Sequence, residues 1–129
     1  MIYDPFRRKY IVLTPEEWVR QHVLHFLTTH LHYPKGLVKV EGGLRYNRLQ
    51  KRSDILVFDN TGAPLLLVEC KAAQVRLTEA VCNQLAAYNM AVGARIVAIT
   101  NGLDCYTWRF DEPNRCYHSL SAIPEYGVS

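Results

Sequence analysis

The chain has 129 residues, of which 49% are hydrophobic and 21% are charged, and its formal net charge is +3 at pH 7. This composition is ordinary for one globular domain, the charge is too small to indicate a nucleic-acid partner by itself, and no apolar stretch approaches the ~20 residues that span a bilayer. The N-terminus lacks the charged-then-apolar order of a signal peptide. The cysteines, at 70, 82, 105 and 116, form no C-x-x-C pair of the kind typical of structural zinc sites. We therefore expect a single domain over residues 1–129 in a reducing, cytoplasmic compartment, with no membrane contact.

Residues 1–13 are predicted to form an N-terminal arm that mixes aromatic and basic side chains. Two interpretations stay open: the arm packs its rings on the core, or it contacts phosphate. Thr14 and Pro15 then indicate a helix start, where Glu17 is expected to complete a capping box. Apolar residues at helical spacing predict a first helix of about 17 residues; they are Val19, Val23, Leu24, Leu27 and Leu31.

The next segment alternates like a strand over residues 37–41 and then becomes basic. Glu41 is either an accessory acid or a solvated strand end. The basic residues are Arg45, Arg48, Lys51 and Arg52. Such a cluster either holds a phosphate backbone through sequence-independent, salt-sensitive contacts or forms a charged loop without a ligand.

A β-hairpin is predicted from two apolar runs, Ile55–Phe58 and Leu65–Val68, joined by turn residues. A turn centred on Thr61 and Gly62 places Asp54 opposite Glu69. Because side chains alternate along a strand, Lys71 then shares the face of Glu69.

Two carboxylates at opposed positions lie ~5 Å apart at Cβ and repel each other, and an apolar surrounding screens them poorly. They are tolerated if they share a proton or hold a divalent cation. Because Lys71 follows Glu69 by two residues, the pattern favours a metal site that binds phosphate. The alternative is that Asp54 enters its strand in solvent and that Glu69 and Lys71 form a solvated strand end. A register slip of one residue would remove Asp54 from the shared face.

A second helix is predicted from Leu77 or Thr78 to Val92, with Gly93 as its stop. Gln84 lies four residues before Tyr88, so both are expected on or beside its buried face. A glutamine turned toward a sheet needs hydrogen-bond partners, because burial without them costs a few kcal/mol.

Residues 95–100 read as a buried strand, and a turn leads from there into a second strand over residues 105–110. The tail, about residues 113–129, is expected to be a short edge strand followed by a loose segment. The order of elements is helix, three strands, helix, two strands. It predicts an α/β fold with a central mixed β-sheet flanked by helices on both faces.

Five features in this order resemble the PD-(D/E)XK nuclease superfamily, and more narrowly the N-terminal nuclease domain of type I restriction enzyme R subunits. They are Leu13–Arg20, Ser53–Asp59, Leu66–Ala72, Gln84-x-x-x-Tyr88 and Ile99–Gly102. Ser53 departs from the pattern, because the superfamily has proline at this place. The resemblance implies a restriction-endonuclease-like fold.

The resemblance also implies roles for individual residues. Asp54 and Glu69, with the backbone carbonyl of Cys70, would hold Mg²⁺ or Mn²⁺, and Lys71 would orient a water or stabilise charge on phosphate. In similar proteins an acidic residue of the first helix often approaches the metal. Either Glu16 or Glu17 could match it, and we favour Glu17, beside its capping role.

Gln84 and Tyr88 resemble the Gln-x-x-x-Tyr element of RecB-like nucleases, which orders the lysine and the DNA beside the metal. The alternative is a boundary glutamine that bonds a strand-end carbonyl. The basic cluster would hold the DNA backbone.

The function implied is Mg²⁺-dependent endonuclease hydrolysis of DNA phosphodiester bonds. The alternatives are a non-catalytic module that binds nucleic acid or a partner protein, and a structural subunit of a larger assembly. The chain contains no G-x-x-x-x-G-K-[ST] phosphate loop, so we expect an ATP-driven motor, if one is needed, in another chain. The expected partners are DNA, other restriction or motor subunits, and a second copy of the chain for cutting both strands.

Overall fold

The computed structural model describes residues 1–40 and 55–127. These residues contain two α-helices and eight strands. In chain order the elements are β1 (Ile2–Asp4), β2 (Lys9–Ile11), α1 (Pro15–Thr29), a 3₁₀ turn (Lys35–Leu37), β3 (Val38–Val40), β4 (Ile55–Phe58), β5 (Pro64–Cys70), α2 (Glu79–Val92), β6 (Ile96–Thr100), β7 (Cys105–Asp111) and β8 (Cys116–Leu120).

Six of these strands form one mixed sheet in the order β3-β4-β5-β6-β7-β8, and β1 pairs with β2 in a separate hairpin. Within the sheet, β5 and β6 are parallel, and the other neighbouring strands are antiparallel. The chain passes from β5 to β6 through α2, as a parallel pair requires. The predicted α/β fold with a central mixed sheet is confirmed.

Helix α1 begins as the sequence predicts, but its capping box is only half formed. The Thr14 hydroxyl accepts a hydrogen bond from the backbone N–H of Glu17 at 3.1 Å. The backbone N–H of Thr14 donates to the carbonyl of Val12, while the Glu17 carboxylate accepts from the Arg7 and Arg20 guanidinium groups. Charged donors form stronger hydrogen bonds than a neutral amide, so the carboxylate turns away from the helix start. The prediction that Glu17 completes a capping box is therefore wrong.

The two helices cover opposite faces of the sheet. The buried side chains of α1 share one core cluster with Leu66, Val68 and Cys70 of β5. Leu85 of α2 shares the other cluster with Leu67 of β5 and with β6. Because side chains alternate along β5, the central strand contributes to both cores, and the apolar stripes of both helices lie where the periodicity predicts.

Helix α2 also ends as predicted. The Thr78 hydroxyl caps its first turn by accepting from the backbone N–H of Val81. Gly93 stops it in the left-handed conformation, with φ +81°, which glycine adopts without the steric cost of a Cβ atom.

The two ends of the chain are more ordered than the sequence predicts. The arm forms the β1–β2 hairpin, in which Tyr3 and Tyr10 contact each other edge to face and remain exposed. Among the aromatic side chains of the arm, Phe6 packs against the core. Beyond β8, the hydroxyl of Tyr33 donates to the Pro124 carbonyl at 2.7 Å, and the ring of Tyr126 packs against that of Tyr33. The edge strand is confirmed, and the expectation of a loose tail is wrong for residues up to 127. None of the helices in the described ranges is long and apolar enough to cross a membrane.

Candidate functional site

Glu69 lies near the carboxyl end of the central strand β5, surrounded by apolar side chains. It pairs with Ile99 across the parallel β5–β6 ladder, and alternation places it on the face of Leu67, beneath α2. Only 5% of its surface is exposed. A carboxylate this buried needs a charged or hydrogen-bonding partner, because desolvation of an isolated charge is costly.

Lys71 supplies such a partner just beyond the strand. Its Nζ lies 2.7 Å from Glu69 Oε2, and the lysine side chain keeps 30% of its surface exposed. The backbone N–H of Lys71 donates to the Thr100 carbonyl at 2.9 Å, which extends the β5–β6 pairing past Cys70 and fixes where the side chain leaves the sheet. The prediction that Glu69 and Lys71 share one face is confirmed. The ammonium therefore stands between the buried carboxylate and solvent.

The β4–β5 hairpin is aligned in the register that the sequence predicts near its open end. Ile55 pairs with Val68, the position directly before Glu69. Asp54 itself lies outside the described residues. The same holds for Glu41 and for the basic cluster, which comprises Arg45, Arg48, Lys51 and Arg52.

Helix α2 lies over the Glu69 side of the sheet. Burial raises the pKa of the Cys82 thiol, and the negative charges of Glu69 and Glu79 raise it further, so the first turns of α2 are within electrostatic reach of the carboxylate. Tyr88 is half-buried and packs against the cluster of Leu67 and Ile99.

Gln84 is exposed, on the solvent side of the stripe. Gln84 therefore lies beside the buried face rather than on it, and its amide can be solvated by water. The same exposure leaves the amide accessible to a ligand.

Glu17, the predicted accessory acid, is engaged on the other side of the molecule. Its Oε2 accepts from Arg7 Nη2 at 2.5 Å and from Gln21 Nε2 at 3.0 Å, and its Oε1 accepts from Arg20 Nη1 at 2.5 Å. Helix α1 covers the sheet face opposite Glu69. The structure does not bring Glu17 to the Glu69–Lys71 pair, and a metal at Glu17 would have to displace a guanidinium.

Asn101, which belongs to the Ile99–Gly102 feature, is a supporting residue to which the sequence assigned no individual role. It is buried, its Oδ1 accepts from the backbone N–H groups of Leu103 and Asp104, and its Nδ2 donates to the Val75 carbonyl at 2.8 Å. The hydrogen bond to the Val75 carbonyl anchors the segment that leads from Lys71 to α2. An asparagine before glycine signals a turn, but nothing in the sequence signals a bond across 26 residues.

Comparisons with known proteins agree with this fold. The family model described as the type I restriction enzyme R protein N terminus matches residues 15–124. The chain is also similar to the solved fragment of a protein assigned as the HsdR subunit of a type I restriction enzyme from Vibrio vulnificus YJ016. That similarity has 22% sequence identity and a TM-score of 0.51, and it covers 89% of this chain and 24% of that chain. No curated protein matches the chain.

At 22% identity the structural similarity supports the fold alone, and the chain spans about a quarter of the length of that HsdR fragment. The family match is broader evidence, because it runs from the start of α1 to Pro124. The resemblance stated from the sequence is thereby confirmed, and the chain belongs to the family of type I restriction enzyme R protein N-terminal domains.

Proposed function

We propose that this domain hydrolyses DNA phosphodiester bonds in a metal-dependent reaction, with Glu69 and Lys71 at the centre of its active site. The observation that carries the proposal is the 2.7 Å contact between the Lys71 ammonium and the buried Glu69 carboxylate at the end of β5. The membership of the chain in a family of restriction-enzyme R-subunit N termini supports a DNA substrate.

The donor set suits a hard divalent cation. Carboxylate and backbone carbonyl oxygens are the ligands that Mg²⁺ prefers, and we propose Asp54, Glu69 and the Cys70 carbonyl as the groups that hold Mg²⁺ or Mn²⁺. When bound there, the ion would supply Lewis-acid stabilisation of the phosphate and a bound water of lowered pKa.

Lys71 can serve two purposes in such a site. Its ammonium has three hydrogen-bond donors and no acceptor, so it can donate to Glu69 while it donates to a phosphate oxygen or to the attacking water. With 30% of its surface exposed, the side chain is accessible to such a ligand. A positive charge beside the position where negative charge develops stabilises the transition state.

The surroundings can bind and orient the nucleic acid. The exposed amide of Gln84 and the half-buried Tyr88 lie on the helix above the site, and we propose that they contact the DNA or support Lys71. The basic cluster that precedes Asp54 would contribute salt-dependent phosphate contacts. We further propose that other restriction or motor subunits, or a second copy of the chain, complete the assembly that cuts both strands.

Relaxation of supercoiled plasmid DNA in Mg²⁺ tests the hydrolytic activity. Glu69→Gln and Lys71→Met keep the shape of each side chain and remove its charge. We expect each to lower the nicking rate by about 10²-fold or more, the usual cost of deleting one charge-stabilising group. The matched controls are Glu112→Gln and Lys35→Met, which remove exposed charges elsewhere and should leave nicking unchanged. If the wild type nicks no faster than the double variant on supercoiled, linear and single-stranded DNA, the hydrolytic proposal is wrong.

A non-catalytic binding module is the second candidate, and one observation favours it: Lys71 already neutralises Glu69 by direct contact. Isothermal titration with Mn²⁺ and gel-shift titration with DNA separate the two candidates. The nuclease predicts Mn²⁺ binding that Asp54→Asn weakens, together with nicking. DNA binding without nicking would identify the binding module.

A further inference from the structure

A second group of metal-ligating side chains lies on the β7–β8 hairpin. Asp111, at the end of β7, is the Cα partner of Cys116, at the start of β8. His118 follows Cys116 by two residues, so all three side chains project from the same face of the hairpin.

The ligand atoms of these side chains are already close together. His118 Nε2 lies 2.9 Å from Asp111 Oδ2 and 3.8 Å from Cys116 Sγ, and all three lie within 4.8 Å of one another. In a tetrahedral zinc site the ligand atoms are about 3.3–3.6 Å apart, given bond lengths of about 2.0–2.3 Å. Small side-chain rotations reach that geometry without movement of the backbone. Within residues 1–40 and 55–127, no other group of three or more Asp, Glu, His and Cys side chains gathers so closely.

The turn holds the carboxylate in place. The backbone N–H of Asn114 donates to Asp111 Oδ1 at 3.2 Å, and its side-chain amide donates to Oδ2 at 2.8 Å. Hydrogen bonds of this kind orient the ligands of metal sites and strengthen binding.

The chemistry of the three side chains selects a class of ion. A thiolate together with an imidazole favours Zn²⁺ and similar transition-metal ions, whereas Mg²⁺ prefers oxygen ligands alone. The thiol and the imidazole are exposed, so an ion can enter from solvent, and three protein ligands leave a fourth position for water. Because all three come from one hairpin, an ion bound there would link β7 to β8.

The group is separate from the Glu69–Lys71 pair. Glu69 pairs with Ile99 near the end of β6, whereas Arg109, two residues before Asp111, pairs with Ile96 at the beginning of β6. The two groups therefore lie at opposite ends of the sheet. They also lie on opposite faces, because Leu120 of the same β8 face packs with the α1 core.

We propose that Asp111, Cys116 and His118 form a binding site for one Zn²⁺-like transition-metal ion at the edge of the sheet. The site is independent of phosphodiester hydrolysis and would stabilise the terminal hairpin.

Titration of the reduced protein with Co²⁺, a spectroscopic substitute for Zn²⁺, tests the site. We expect a thiolate-to-cobalt charge-transfer band in the near ultraviolet that saturates at one equivalent and that added Zn²⁺ abolishes. Cys116→Ser should eliminate the band, and Asp111→Asn and His118→Asn should each weaken Co²⁺ binding at least tenfold, since each removes one of three ligands. Cys105→Ser, which replaces another exposed cysteine at the opposite end of β7, should retain the full band.

Two further measurements make the outcome decisive. Zn²⁺ should slow amide hydrogen exchange in β7 and β8 of the wild type and leave exchange in Cys116→Ser unchanged. Glu69→Gln should keep the cobalt band, so loss of nuclease activity and loss of this site are told apart. Absence of the band in the wild type, or its persistence in Cys116→Ser, would overturn the proposal.

Discussion

Glu17 and Glu69 are both buried glutamates, with 6% and 5% of their surface exposed, but their partners differ. Glu17 accepts from two guanidinium groups and an amide, and Arg7 continues to the buried Asp4 while Arg20 continues to Glu16. Glu69 meets the ammonium of Lys71, which is partly exposed. Burial of a carboxylate is therefore similar in the two places, and the partners distinguish a structural group from a candidate functional one.

The physical difference lies in what each partner leaves available. Guanidinium groups bind carboxylates through several fixed N–H donors and hold an orientation, so the Glu17 network ties the N-terminal arm to α1 and leaves that carboxylate engaged at both oxygens. An ammonium is a compact charge on a flexible stem, and it can shift toward a ligand while it remains near Glu69. The Glu17 network therefore resists rearrangement, whereas the Glu69–Lys71 pair can adapt to a ligand.

Glu17→Ala should produce the largest loss of stability. It leaves the Arg7 and Arg20 guanidinium groups buried without their shared counter-charge, and removing one partner of a buried ion pair typically costs about 3–5 kcal/mol. Urea unfolding followed by circular dichroism measures the change. Glu79→Ala, which removes an exposed glutamate from α2, is the control and should cost less than about 1 kcal/mol. A loss at Glu17 no larger than the control would refute the structural role.

Glu69→Gln should alter the free energy of unfolding by less than about 1 kcal/mol, because water can solvate the partly exposed Lys71 ammonium and the buried charge itself is removed. Its effect should instead be on ligand binding: Mn²⁺ should raise the thermal midpoint of the wild type and not that of the variant. Glu112→Gln should behave as wild type in both measurements. A loss of 3 kcal/mol or more at Glu69, of the order expected for a buried structural pair, would place Glu69 in the same class as Glu17.

Much of the fold that positions Glu17 and Glu69 is predictable from the sequence. Thr14 and Pro15 mark the start of α1, and Thr78 and Gly93 bracket α2, because caps and stops are local properties of a few neighbouring residues. The apolar run at Ile96–Thr100 identifies the buried strand for the same reason. Alternation along β5 also suffices to place Glu69 and Lys71 on one face.

The parts that sequence reasoning missed depend on contacts between distant segments. In the sequence Arg20 looks like a polar position of α1, and only the folded arm reveals that Arg20 shares the Glu17 carboxylate with Arg7. The register of one hairpin brings Asp111, Cys116 and His118 together. The sequence signal for this grouping was a short turn between two strands, combined with the alternation of side chains along each strand. The docked tail depends on Tyr33 and Tyr126 meeting across the chain, which no local pattern encodes.

The smallest expected effect is a change in the acid sensitivity of the arm. Burial raises the pKa of Asp4, but hydrogen bonds from Arg7 and from the backbone N–H of Phe6 outweigh it, and the net pKa is lowered. A carboxyl whose pKa is lower in the folded state stabilises the fold above its unfolded pKa and loses that contribution as the pH falls through the folded value.

The wild type should therefore lose stability progressively below about pH 4, and Asp4→Asn should show a shallower decline over the same range. Thermal midpoints between pH 6 and pH 3 measure both slopes, and Glu112→Gln, which changes an exposed glutamate, should keep the wild-type slope. Equal slopes for wild type and Asp4→Asn would show that the Asp4 charge does not couple the arm to α1, and the Glu17 network would then hold the arm without it.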